Sequence, residues 1–120
     1  MSRDHRKLRV FNLADDLVLE VYKTTKGFPV EERYGLQSQL RRAALSTAVK
    51  FVEGSARRTT REYAMFVNVA TGSAAESRYL FEIAVRLGYL NATGHQATLR
   101  RLGELVAQLK ALGNSLENKP

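Results

Sequence analysis

Residues 36–56 read LQSQLRRAALSTAVKFVEGSA and carry the strongest secondary-structure signal of the chain. It contains no proline and is rich in Ala, Leu, Arg and Gln, a composition that favours an α-helix. The only prolines of the chain are Pro29 and Pro120, so the sequence between them lacks the strongest helix breaker. We therefore predict a helix over residues 36–56 in an all-α protein.

Upstream of this helix, the sequence predicts a first helix that begins at Asn12, whose side chain can cap it, with Asp15 and Asp16 in its first turn. The helix should stop near residues 27–29, and residues 30–35 should form a short helical turn that ends at Gly35. Its apolar residues recur every three or four positions: Leu13, Ala14, Leu17, Val18, Val21 and Tyr22.

Downstream, a capping box from Thr59 to Glu62 predicts a third helix that runs to Leu87 and is stopped by Gly88. A similar cap at residues 93–96 predicts the last helix. The apolar side of that helix consists of Leu99, Leu102, Leu105, Val106, Leu109 and Leu112. Short connections favour antiparallel neighbours, so residues 1–120 are predicted to form one domain, an up-down four-helix bundle.

Composition excludes several classes of function. The chain has no cysteine, which excludes a disulfide scaffold, a thiolate zinc site, an iron–sulfur cluster and a thiol nucleophile. Lys and Arg total 19 against 12 Asp and Glu, giving a net charge of +7. A polyanion such as nucleic acid is therefore a favoured partner.

The sequence also bears on location. Residues 2–9 are charged where an export signal would be apolar, and the longest uncharged run, Tyr63 to Ala75, is shorter than a membrane span. We expect a soluble cytoplasmic protein. The basic residues near the start, within residues 1–9, should form a loose arm: Arg3, Arg6, Lys7 and Arg9.

The two middle helices carry more apolar surface than a four-helix core needs. The second helix spreads Leu40, Ala43, Ala44, Leu45, Ala48, Val49, Phe51 and Val52 over more than half of its circumference. The third has one stripe with Tyr63, Phe66, Val67, Ala70, Ala74, Phe81 and Val85, and a second with Met65, Val69, Leu80, Ile83 and Leu87. We expect the surplus to bind another copy of the chain. Alternatively, the N-terminal segment or the final residues fold back over it.

The remaining face of the second helix is a narrow polar strip composed of Gln39, Arg42, Ser46, Lys50, Glu53 and Arg57. Arg58 and Arg61 follow at once, so one edge of the bundle would present several cations to phosphates. The alternative is an ordinary solvated face on which Glu53 and Glu62 pair locally with the arginines.

Two features of the third helix predict contacts with another part of this chain or with another subunit. Glu76 falls inside the second apolar stripe, where a lone carboxylate is costly, so we expect it to meet an arginine or a helix N-terminus in this or another subunit. Gly72, followed by Ser73 and Ala74, predicts a place where another helix approaches closely.

The familiar catalytic and metal-binding patterns are missing from the sequence. No Glu is followed three residues later by His, and the only histidines, His5 and His95, lie in different parts of the chain. There is also no phosphate-binding glycine loop and no nucleophile elbow. We expect no enzymatic activity, no metal and no cofactor; a nucleic-acid hydrolase using Glu53 or Glu76 with a metal is the remaining enzymatic alternative.

An ordered series of short motifs resembles a known family over nearly the whole chain. The series consists of Phe28-Pro29, the run YGLQSQLRRAA at residues 34–44, Ser46, Glu53-Gly54, Gly72-Ser73 with Glu76, and Leu87-Gly88-Tyr89-Leu90. These motifs resemble those of the 23S ribosomal RNA intervening-sequence proteins, whose relatives include the accessory variability determinant of diversity-generating retroelements.

The resemblance implies a four-helix protomer in a ring, typically a pentamer, with a basic surface that engages nucleic acid. The residues that fall on the family's pattern are Arg41, Arg42, Glu53, Gly54, Gly72, Ser73 and Glu76. Lys50 departs from it, since the family usually has Asn there, and the change adds a positive charge.

Together these features predict a non-enzymatic, oligomeric scaffold that binds RNA or DNA with weak sequence specificity. The residues expected to contact phosphates are Arg41, Arg42, Lys50, Arg57, Arg58 and Arg61. The residues expected to serve structure or subunit contacts are Glu53, Gly54, Gly72, Ser73 and Glu76. The alternative function is a protein-interaction adaptor, for example an accessory subunit of a reverse transcriptase.

Overall fold

Four α-helices account for most of residues 8–118, the part of the chain that the computed structural model describes. Their bounds are α1, Arg9–Thr25; α2, Leu36–Ser55; α3, Thr60–Arg86; and α4, Ala92–Glu117. A single 3-10 turn, Val30–Glu32, lies between α1 and α2. Within residues 8–118 there is no β-strand, so the all-α prediction is confirmed.

The start of α1 differs from the sequence-based prediction. The helix begins at Arg9, and the Asn12 amide donates to the carbonyl oxygen of Leu8 at 3.2 Å, so Asn12 lies inside the first turn and is not its cap. Burial of Val10 and the packing of Phe11 on Phe51, with ring centres 6.2 Å apart, extend the helix past the capping residue. Tertiary packing therefore outweighs the local capping preference.

Two further predictions concern the acidic residues near the start of α1 and the basic arm before it. Asp15 and Asp16 lie beyond the first turn, so their predicted place there is wrong; instead the Asp16 carboxylate lies 3.4 Å from the Arg101 guanidinium of α4. Of the predicted basic arm, Arg3, Arg6 and Lys7 lie outside the described residues, and Arg9 is the first residue of α1.

The ends of α3 follow the sequence closely. Thr59 Oγ1 accepts a hydrogen bond from the Glu62 amide at 3.1 Å, which is the predicted cap. At the other end Gly88 adopts φ 81°, a left-handed conformation that glycine tolerates best. The Gly88 amide donates to Val85 and the Tyr89 amide donates to Ala84, the two hydrogen bonds of a Schellman motif.

The start of α4 was predicted slightly too late. Asn91 is its cap, because Asn91 Oδ1 accepts from the amides of Thr93 at 2.8 Å and Gly94 at 3.1 Å. The predicted cap at residues 93–96 lies inside the first turn, so that prediction is wrong by two residues. Asparagine is among the strongest N-terminal caps, and here it stands just before the helix.

One buried cluster draws on all four helices. Its largest fully buried apolar side chains are Leu17 from α1, Leu40 and Phe51 from α2, Tyr63 and Phe81 from α3, and Leu102 and Leu109 from α4. Burying each such side chain contributes about 1.5–3 kcal/mol before the cost of ordering it. Of the predicted apolar side of α4, Leu102, Leu105 and Leu109 are buried, and the rest pack against the core.

The α2–α3 pair is held closely along its length. The ring of Phe51 meets that of Tyr63 edge-on, with centres 6.1 Å apart. Gly54 is buried, and a Cβ atom placed there would lie 2.7 Å from Cβ of Phe66. Farther along, Ser46 Oγ and Ser73 Oγ are hydrogen-bonded at 3.2 Å. This pair sets the position of the polar strip of α2. No helix in the described part of the chain is long and apolar enough to cross a membrane.

Candidate nucleic-acid interface

The predicted phosphate-binding residues fall into two groups along α2. Arg41 and Arg42 lie in its second turn, whereas Arg57, Arg58 and Arg61 surround the loop that follows it. The helix has 20 residues and is therefore about 30 Å long, so roughly 20 Å separates the two groups. Only Lys50 lies between them.

Arg41 is anchored to the end of α1. Its Nε donates to Thr25 Oγ1 at 2.8 Å, and its Nη2 donates to the carbonyl oxygen of Tyr22 at 3.1 Å. The guanidinium also lies 4.7 Å from the centre of the Tyr22 ring. A cation at the last carbonyl groups of a helix is stabilising, so Arg41 fastens α1 to α2. Two of its five N–H donors are used in these bonds, and the side chain is fixed in place.

Arg41 and Arg42 both line a groove beside the first turns of α2, with a volume of about 530 Å³. Arg42 is exposed and donates to Ser38 Oγ at 3.3 Å. The groove is also lined by Tyr22, Arg33 and Tyr34. No Asp or Glu within residues 8–118 lines it, so its charge is wholly positive.

Lys50 lies on the outward side of α2 and forms an ion pair with Glu53, with Nζ and Oε1 3.2 Å apart. Both side chains are about one-third exposed. The alternative of local pairing thus applies to Glu53, whose ion-pair partner among residues 8–118 is Lys50. An ion pair of this exposure contributes about 0–1 kcal/mol, so a phosphate can compete for Lys50 at small cost.

The second group of arginines surrounds the α2–α3 loop, where Arg57, Arg58 and Arg61 are all exposed. The Arg57 guanidinium lies 4.7 Å from the centre of the Phe66 ring, a cation–π contact that orients it. Glu62 accepts a hydrogen bond from the Thr59 hydroxyl at 3.0 Å and belongs to the helix cap. The three arginines lie within five consecutive residues, and each guanidinium group can bind two phosphate oxygens at once.

The residues expected to serve structure divide between the protein interior and its surface. Gly54 and Ser73 lie at the contact of α2 with α3, as described above. Gly72, however, is exposed, and no atom lies within 4 Å of a Cβ placed there. Another helix does approach at this place, because α2 contacts Ser73, whereas Gly72 itself faces away from α2.

Glu76 is also exposed, and it forms no ion pair with any residue that the structure describes. The expected partner within the protomer is therefore absent from residues 8–118. The reason is the position of its stripe: the second apolar stripe of α3 faces outward, so the carboxylate stays hydrated and incurs no burial cost.

The outward face of α3 exposes large apolar side chains. Met65 is 60% exposed and Val69 is 51% exposed, and a shallow hollow of about 280 Å³ lies beside them. Leu87 at the end of the helix is exposed as well, while Leu80 and Ile83 are half-buried. On α2, Leu45 and Val49 are exposed. We call Met65, Val69, Gly72 and Leu87 the apolar face of α3.

The described C-terminal residues leave the apolar face of α3 uncovered. The helix α4 runs to Glu117, whose Oε1 accepts a hydrogen bond from Nδ2 of Asn68 at 2.7 Å. This contact lies beside α3, yet Met65 and Val69 stay exposed. Folding back of residues 110–118 therefore does not account for the surplus apolar surface.

Within residues 8–118, no cluster of three or more His, Asp or Glu side chains has the geometry of a metal site. His95 lies at the start of α4, where its Nδ1 is 2.9 Å from the carbonyl oxygen of Asn91. Its ring packs 6.0 Å from that of Phe81. These contacts give His95 a place in the packing of α3 and α4.

Sequence reasoning missed the groove, because its aromatic residues come from two other segments. The sequence pattern predicts Tyr22 on the apolar face of α1 and indicates no role for Arg33, yet both line the groove. The side chain of Tyr34 is 89% exposed. Periodicity cannot predict this exposure, because the turn is too short to show a repeat. The available signal was the basic and aromatic pair Arg33-Tyr34 directly before the Arg41-Arg42 helix.

The architecture defines an all-α protein with four packed helices and basic side chains along its second helix. A family model described as 23S rRNA-intervening sequence protein matches residues 6–111. The chain therefore belongs to the 23S rRNA-intervening sequence protein family, as its motifs predicted. No curated protein matches the sequence.

Proposed function

We propose that the protein is a non-enzymatic cytoplasmic scaffold that binds nucleic acid, RNA in particular, through phosphate contacts. The observation that carries this proposal is the cluster of exposed arginines at the α2–α3 loop, Arg57, Arg58 and Arg61. Arg42 and Lys50 extend the positive charge along α2, and Arg41 adds to it in the groove. Phosphate contacts carry little sequence information, so binding is weakly sequence-specific and needs no cofactor.

The scaffold is proposed to be a homo-oligomer, a ring of five protomers as the family resemblance implies. The exposed Met65 and Val69 on the apolar face of α3 support self-association, since a subunit contact would remove their side chains from water. Within the protomer, an antiparallel up-down arrangement is supported by the short α2–α3 loop and by two contacts. Ser46 meets Ser73, whereas the later Gly54 approaches the earlier Phe66.

The same apolar face supports a second candidate function. A protein-interaction adaptor, for example an accessory subunit of a reverse transcriptase, would dock its partner on exposed residues such as Met65 and Val69. In that case the positive charge serves docking to an acidic partner, and nucleic acid is not retained by the protein alone.

The first test replaces Arg57, Arg58 and Arg61 together by Glu. We expect RNA affinity to fall at least 100-fold, because three phosphate contacts become repulsive, while the mass measured by light scattering stays the same. In the unaltered protein, the logarithm of affinity should fall with the logarithm of salt concentration with a slope of about −0.7 per phosphate contact on single strands.

The matched control replaces the exposed Arg86, Arg100 and Lys110 by Glu, which changes the net charge equally but away from the loop. We expect this control to lose much less affinity. If both triple variants lose affinity equally, general charge and not the α2–α3 loop attracts the nucleic acid. If neither loses affinity, or the salt slope is flat, the phosphate-binding function is wrong and the adaptor function is favoured.

A further inference from the structure

The groove beside the first turns of α2 contains a second kind of chemistry, exposed aromatic rings. Tyr34 is almost fully exposed on the segment between α1 and α2, and Tyr22 is partly exposed at the end of α1. Both line the groove together with three arginines. The groove therefore combines exposed aromatic rings with positive charge.

The rear of the groove is rigid. Arg41 is held by Thr25 and Tyr22, and Thr25 is itself fully buried, with its hydroxyl donating to Val21 at 2.8 Å. An anion that meets Arg41 therefore contacts a guanidinium that is already ordered, and little side-chain entropy is lost on binding. Arg42 and Arg33 add charges at the sides of the groove.

The Glu32 carboxylate of the 3-10 turn is engaged by two hydrogen bonds and does not line the groove. Glu32 Oε1 accepts a hydrogen bond from the Leu36 amide at 3.1 Å, and Glu32 Oε2 accepts one from the Tyr89 hydroxyl at 2.9 Å. The Tyr89 ring in turn packs on Phe28, with ring centres 5.5 Å apart. These contacts fix the segment that carries Tyr34 and keep the Glu32 charge out of the groove lining.

From this geometry we infer that the groove binds one unpaired nucleotide, with the base stacked on Tyr34 and its phosphate bound by the groove arginines. The volume of about 530 Å³ lies within the range of about 300–1,000 Å³ that small-ligand pockets occupy. Only an unpaired base offers a free face for stacking, because a duplex buries that face between neighbouring pairs. The inference rests on the proposed function and adds to it a preference for single strands.

The test compares two fluorescent probes, a single-stranded oligouridylate of about ten nucleotides and an RNA duplex of the same length. Fluorescence anisotropy gives the affinity of each for the unaltered protein and for Tyr34→Ala. Because stacking on one aromatic ring is lost, we expect Tyr34→Ala to bind the single strand roughly 5- to 150-fold more weakly, with an unchanged salt slope. Duplex affinity should stay within about twofold.

Two control variants separate stacking from structural damage. Tyr34→Phe keeps the ring and should retain the affinity of the unaltered protein for the single strand. Tyr79→Ala removes another exposed tyrosine, on α3 and outside the groove, and should change neither affinity. Circular dichroism should show the same helix content for all three variants.

The outcomes distinguish the inference from the proposed function. If Tyr34→Ala binds the single strand as tightly as the unaltered protein, or weakens both probes equally, the groove does not bind a base. Phosphate binding at the α2–α3 loop then still stands, provided that the Arg57, Arg58 and Arg61 triple variant loses RNA. If the unaltered protein binds neither probe, the inference and the proposed function are both wrong.

Discussion

At the scale of single residues, Tyr89 joins the segment before α2 to the end of α3. Its hydroxyl donates to Glu32 Oε2 at 2.9 Å. This hydrogen bond is the main cause that raises the pKa of Tyr89 above its usual 10.0, and desolvation and the negative charges of Glu32 and Glu31 act in the same direction. The folded protein therefore holds this proton more tightly than the unfolded chain does.

A raised pKa makes stability depend on pH in a definite direction. The contribution of Tyr89 is complete below the unfolded-state pKa near 10 and is lost as the pH rises through the folded-state pKa. We expect Tyr89→Phe to be less stable than the unaltered protein at about pH 8, with the difference shrinking toward about pH 11. Urea denaturation at several pH values measures this difference in the free energy of unfolding. A difference that stays constant with pH would show that the hydroxyl proton of Tyr89 does not contribute to stability.

Single residues also show which helix ends could be predicted from sequence. The Thr59 cap was predictable because its partner, Glu62, is three positions away. The start of α1 was not, because it depends on the contact of Phe11 with Phe51, 40 positions later in the chain. Local signals locate a helix end only where no distant contact competes with them.

At the scale of helices, the α2–α3 contact depends on the absence of a side chain at Gly54. A Cβ atom there would lie 2.7 Å from Cβ of Phe66, which is bonded directly to the backbone of α3, 3.2 Å from Cδ1 of Tyr63 and 3.4 Å from the backbone oxygen of Tyr63. The two helices would have to move apart to admit it. Glycine at this position is therefore required by packing, despite its low helix propensity.

We expect Gly54→Ala to lower the free energy of unfolding by about 1–3 kcal/mol, the usual cost of overpacking. Gly94→Ala is the matched control: a Cβ there meets only Asn91, at 3.9 Å, so this change should leave stability equal or raise it by up to about 1 kcal/mol. Urea denaturation of both variants at one protein concentration measures the effect. Equal stability of the two variants would contradict close α2–α3 packing at Gly54.

The helices also show why only part of the candidate site was predictable. Periodicity along α2 was enough to place Arg42 and Lys50 on one polar strip, whereas Arg57, predicted on the same strip, lies in the loop after the helix ends at Ser55. The groove is formed by the end of α1, the segment between α1 and α2, and the start of α2. Periodicity within one helix does not show that these three segments lie side by side. The family motifs include Tyr34, but they do not show that its ring is exposed.

At the scale of the whole molecule, the protomer is elongated, with extents of 48 × 25 × 20 Å. Its long sides leave room for both a basic and an apolar surface. The helix α3 bears the apolar face and also follows the α2–α3 loop, where Arg57, Arg58 and Arg61 lie. Self-association and nucleic-acid binding would therefore both involve α3 but would use different side chains.

We expect the double variant Met65→Glu and Val69→Glu to reduce the mass in solution to that of one 13.5 kDa protomer, because charges in an apolar interface are costly to bury. Light scattering coupled to size exclusion measures the mass. Leu19→Glu, which changes an exposed apolar residue on α1, should leave the oligomer intact. If the unaltered protein is already a monomer, self-association through this face is wrong.

Under the proposed function, the distance between the two arginine groups determines how long a strand must be to contact both. The roughly 20 Å between the groups spans several nucleotides of a strand. A strand shorter than this touches one group at a time, whereas a longer one bridges both, and its second contact forms at a high effective concentration. Under the proposed function, affinity should therefore increase in a step once a strand is long enough to reach both arginine groups.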